Sequence, residues 1–64
     1  MDLTEAEAAH LRAKLDALRV KASANGAADS RWDIIATGES VLKGGSAWPY
    51  GNARAAFDAI MEAT

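Results

Sequence analysis

The residue types that most often carry chemistry are scarce in this chain, and they do not converge. There is one histidine, His10, and no cysteine. His10 falls on the charged border of a helical stretch, between Glu7 and Lys14, where a solvated imidazole is the expected state. With no thiolate and a single imidazole, neither a disulfide framework nor a zinc site is expected. Glu39 is the one carboxylate on the less polar side of its segment, and Lys43 follows one helical turn on. A surface ion pair accounts for the two of them. Gly44-Gly45 ahead of Asn52, with Lys43 and Arg54 close in sequence, has the outline of an anion cradle at a helix start. Its spacing fits neither the phosphate loop nor the dinucleotide fingerprint. Catalysis needs an acid or nucleophile, a base and a charge-stabilising group brought together. No such set is visible, so the expectation is a non-enzymatic protein with no cofactor, no metal and no evident small-molecule substrate.

What these residues can do is bind. Trp48-Pro49-Tyr50 puts two aromatic rings around a proline between glycines, and the proline holds Trp48 extended. The rings can be presented to a partner, can plug the end of a thin core, or can divide the two tasks. Trp32 poses the same choice: a tryptophan at the edge of a core is either a binding anchor or a cover over a loop, and the cover fits the usual burial of this residue. A third surface is a line of small side chains, Ala6, Ala9, Ala13, Ala17, Val20 and Ala24, at helical spacing. Such a line lets another helix approach closely, although alanine also fills solvent-facing helix positions through propensity alone.

Three helices must position these groups. Thr4 with Glu7 three residues on is a capping box, with Leu3 and Ala8 at the staple positions. Glu5 and Glu7 near the start and Arg19 and Lys21 towards the end suit the helix dipole, and Asn25-Gly26 stops the helix. The first helix is thus predicted over 4–24, with Ala8, Leu11, Leu15, Leu18 and Ala22 as its core stripe. The second is predicted over 30–43, with Ser30 and Asp33 as a capping pair and Asp29 as a competing cap. The β-rich run 32–37 admits a strand, but Ile34, Ile35, Gly38, Val41 and Leu42 recur on one side of a 3.6-residue repeat. Gly38 costs about 1 kcal/mol against alanine inside a helix, a cost that makes sense if a neighbouring backbone comes close there. After the loop 44–51, Asn52 caps a third helix over 52–63, with Ala53, Ala56, Phe57, Ile60 and Met61 on its apolar side and Arg54 paired with Asp58 one turn on. The predicted fold is an all-α three-helix bundle in one domain, 1–64, with a Gly/Trp/Pro/Tyr loop between the second and third helices.

Size and charge narrow the function classes. Chains this short bury only about 60% of their unfolded surface, so a lone core gains from an added interface. The net charge of −2, with both signs interspersed, does not favour non-specific attachment to nucleic acid or anionic membrane. No apolar run approaches the roughly 20 residues of a membrane span, and the first residues lack the basic start of a secretory peptide. A cytoplasmic location in a bacterium, or in a virus infecting one, is the default expectation. A helix-turn-helix reader is disfavoured by the long connection before the third helix and by Asp58 and Glu62 beside Arg54.

The expected function is a small non-catalytic protein-interaction module: an adaptor, regulator or inhibitor of a larger protein, with self-association through the first helix as one form. Ala6, Ala13, Ala17, Val20, Trp32, Trp48 and Tyr50 are its partner-binding candidates. Two alternatives are a small nucleic-acid-associated regulator, which predicts salt-sensitive DNA binding through Arg31, Lys43 or Arg54, and a phage-encoded inhibitor of a host protein. No stretch carries a motif specific enough to name a family.

Overall fold

In a computed structural model, residues 3–63 are described, and they form three helices: α1 (Glu5–Asn25), α2 (Arg31–Leu42) and α3 (Ala53–Glu62). No strand occurs among the described residues, and 32–37 is helical. The all-α three-helix bundle is the fold. Its radius of gyration is 11.0 Å, close to the ~10.7 Å that compact chains of this length adopt.

α1 is the spine. The reciprocal capping box forms as the sequence prescribes: the Glu7 N–H donates to Thr4 Oγ1 at 3.1 Å and the Thr4 N–H donates to Glu7 Oε1 at 3.0 Å. Leu3 is buried just before it and joins the core, as a staple residue should. At the other end Gly26 takes a φ of 98°, a conformation glycine adopts without strain, and its N–H returns to the Ala22 carbonyl. Between these ends Ala8, Leu11, Leu15, Leu18 and Ala22 are buried. Leu11, Leu15, Leu18 and Ala22 meet Ile35 and Val41 from α2 and Ala56 and Ile60 from α3 in one core.

α2 starts differently from the sequence expectation. Ser30 sits in the helical region and its side chain caps nothing. Asp29 is the cap instead: its Oδ1 accepts the Arg31 N–H at 2.8 Å and its Oδ2 the Arg31 guanidinium at 2.7 Å. These bonds from Arg31, with one from Asn25, hold the Asp29 carboxyl below its usual range. Asp29 lies one residue further out, from where its carboxylate reaches the Arg31 N–H two residues on. Within α2, Ile35, Gly38 and Val41 are buried, while Ile34 and Leu42 are half-buried at the flanks. Gly38 is there for contact with α1. A Cβ at this position would lie 2.6 Å from Leu15 Cδ2 and 2.9 Å from Leu15 Cδ1.

α3 is capped by Asn52, whose Oδ1 accepts the Ala55 N–H at 2.8 Å. Ala56 and Ile60 are buried, and Ala53 and Phe57 pack against the core. Arg54, expected to pair with Asp58, stands at 4.0 Å from it and turns mainly to Glu7. Arg54 Nη2 donates to Glu7 Oε1 at 2.8 Å while Nη1 donates to Oε2, a bidentate pair that fastens the start of α3 to the start of α1. Its guanidinium also lies over the Phe57 ring, 5.5 Å from the centroid. Glu7 prevails over Asp58 because its carboxylate is already fixed by the capping box, so ordering it costs little more entropy. The expected Glu39–Lys43 pair is likewise displaced: Arg19 reaches from α1 to Glu39 at 2.6 Å while also holding Asp16 at 2.8 Å.

Two outcomes follow from this packing. Gly38→Ala gains about 1 kcal/mol of helix propensity but forces the buried Leu15 aside, a strain of about 1–3 kcal/mol. The substitution should lower stability in urea unfolding, and the loss should vanish in a Leu15→Ala background, where the clash is gone. For Glu7, the hydrogen bonds from Arg54 and then Thr4 hold the carboxyl at about 2, against an ordinary 4.5. A carboxyl depressed on folding contributes stability that is complete above its unfolded value and is lost as pH falls towards the folded one. The urea midpoint should therefore drop between about pH 4.5 and pH 2, and Glu7→Gln should flatten part of that drop.

Candidate functional site

The surface follows from how the core is filled. Because α1 turns its leucines inward, the opposite line of Ala6, Ala9, Ala13, Ala17, Val20 and Ala24 faces outward, and all six are exposed. Val20 is 72% exposed and is one of two large apolar side chains so displayed among the described residues. His10 lies beside this line, also exposed.

The other is Trp48, at 79%. Its loop is held from several sides. The Trp48 N–H donates to Ser46 Oγ at 3.1 Å. The Thr37 hydroxyl on α2 lies 3.2 Å from the Trp48 carbonyl and 3.1 Å from that of Asp33, so one O–H is shared between two acceptors. The Tyr50 N–H closes the turn onto the Ala47 carbonyl at 2.8 Å, around a cis Trp48–Pro49 peptide bond. Ala47 and Tyr50 pack against the core. The two rings divide their tasks: Tyr50 plugs and Trp48 is shown.

Trp32 is a cover. It is half-buried against the core, and its indole N–H donates to the Gly26 carbonyl at 3.1 Å, closing over the α1–α2 junction beside Ser23 and Ala27. The structure therefore keeps the seven partner-binding candidates apart by kind. Ala6, Ala13, Ala17 and Val20 share one helical face, Trp48 stands out from its loop, and Trp32 and Tyr50 are largely spent on packing.

The anion cradle outlined by Gly44-Gly45 does not form. The Gly44 and Gly45 N–H groups donate to the Val41 and Ser40 carbonyls, finishing α2, and the Asn52 side chain is used by its own helix. Sequence reasoning also overlooked a groove between α1 and α2. It has a volume of about 290 Å³ and is lined by Arg12, Leu15, Asp16, Arg19, Glu39, Leu42 and Lys43. Leu15 is a core residue, 1% exposed, and only its edge reaches the groove. The signal that could have found the groove is the closeness that Gly38 permits between the helices. No group of three or more His, Cys, Asp or Glu side chains placed to hold a metal occurs among the described residues. None of the helices is long and apolar enough to cross a membrane.

Comparison with family models, curated proteins and solved structures gives no match. The site must be read from its own chemistry.

The contrast between the tryptophans can be measured. Trp32→Phe leaves Trp48 as the sole indole, which should emit at longer wavelength and be readily quenched by acrylamide. Trp48→Phe leaves Trp32, which should emit further to the blue and be shielded. Equal quenching in the two variants would show that Trp48 is not displayed.

Proposed function

We propose that this chain is a small non-catalytic protein-interaction module that docks on a partner protein through Trp48. The observation that carries the reading is a large aromatic side chain left in solvent on a loop whose backbone is pinned on both sides of it. Tryptophan is prominent among the residues that dominate interface energies, and a loop already ordered loses little further entropy on docking. The outer face of α1 supports a second contact of the same kind. Val20 stands among alanines short enough to let another helix come near. A second copy of this chain is the occupant that would add buried area to so small a core. A cytoplasmic setting and a role as adaptor, regulator or inhibitor of a larger protein belong to the same proposal.

A photo-crosslinking amino acid at position 48, in cells of the source organism, tests the Trp48 contact. A discrete heterologous adduct is expected, and it should be absent when the probe is moved to the exposed Lys21. Adducts that do not differ between the two positions would overturn it. Self-association is tested by light scattering at micromolar concentration. A dimer that Ala13→Glu converts to monomer, with helicity unchanged, is expected; a monomer in both proteins would remove that contact.

A further inference from the structure

We propose that the groove between α1 and α2 is a second docking site, one that takes an acidic protein segment carrying a leucine-sized apolar side chain. It is distinct from the Trp48 loop. α1 and α2 are consecutive helices joined by a short connection, and the close approach at Gly38 and Leu15 sets their separation there. The accessible apolar floor is the half-buried Leu42, with the edge of the buried Leu15 beneath it. One side is closed by a satisfied ion group: Arg19 holds Asp16 and Glu39, and Glu39 is kept below its usual range chiefly by that bond.

The remaining lining residues are Arg12 and Lys43; neither makes a close ion pair among the described residues, although the Lys43 charge also acts on Glu39 from a distance. Three cations and two anions line the groove, an excess of positive charge in a chain whose net charge is −2. The end of α2 does not cancel it. The Glu39, Ser40 and Val41 carbonyls there are already taken by the N–H groups of Lys43, Gly44 and Gly45. An incoming carboxylate therefore meets Arg12 and Lys43, while an apolar side chain beside it covers Leu42. A basic segment would find only carboxylates that Arg19 already occupies. Charge thus selects the sign of the partner, and the floor selects its apolar residue.

The probes are three synthetic peptides of equal length: one alternating glutamate pairs with leucine, one with lysine for glutamate, and one with alanine for leucine. They are titrated into the full chain and followed by amide and methyl chemical shifts. The glutamate–leucine peptide should shift Arg12, Leu15, Leu42 and Lys43; the lysine peptide should bind at least about threefold more weakly, the scale set by two exposed ion pairs, and the alanine peptide should also bind more weakly, through the apolar burial it loses. Arg12→Gln with Lys43→Gln should weaken the first peptide by about the same factor. Trp48→Ala should leave it unchanged, so failure of the Trp48 contact and failure of the groove are read separately. Shifts outside the groove, equal binding of the lysine peptide, or no shift with any peptide would overturn the proposal.

Discussion

The structure depends on one seam, the leucine stripe of α1. Leu11, Leu15 and Leu18 are almost wholly removed from solvent, and the other two helices are arranged so as to remove them. In a cysteine-free chain of this size there is no cross-link to share the load. Truncating one buried leucine to alanine typically costs about 2–5 kcal/mol, a large fraction of the stability of a small domain. Every other feature can be read as serving that seam. Gly38 brings α2 onto Leu15, Ile60 and Ala56 close it from α3, and Leu3, Tyr50 and Trp32 seal its borders.

Polar groups decide how the helices meet rather than whether they meet. Glu7 is at once a capping residue of α1 and the bidentate partner of Arg54, so the start of α1 sets the position of the start of α3. Arg19 likewise ties α1 to α2 through Glu39. These pairs are exposed, and exposed pairs add little net stability. Their value is in orientation: a short apolar seam tolerates several rotations of its helices, and two fixed ion pairs select one of them.

Much of this was legible in the residues. The capping box at Thr4, the glycine stop at Gly26, the Asn52 cap and the division of α1 into a leucine side and an alanine side all follow from local rules, and local rules operate within a turn or two of chain. The features not legible were those in which a distant partner joined or outcompeted a nearby one. Arg54 keeps Asp58 at 4.0 Å but is held mainly by Glu7, 47 residues away, and Glu39 takes Arg19 rather than Lys43 as its close partner, because side chains on facing helices can approach more closely than those spaced along one. The groove was invisible for the same reason, being made of two helices at once. The split between Tyr50 and Trp48 could be framed from sequence but not decided, since it depends on which ring the α2–α3 connection carries over the core.

What remains outside the seam is an α1 face of small side chains, a displayed tryptophan and a basic-lipped groove. The core closes without the Trp48 ring or the outer face of α1. Nuclear Overhauser contacts in the dilute, isolated chain test this most directly. Strong contacts are expected between the Gly38 α-protons and the Leu15 methyls, and none between the Trp48 ring and the methyls of Leu11, Leu15, Val41 or Ile60. Contacts from the Trp48 ring to those methyls would mean that the tryptophan belongs to the core and is not displayed.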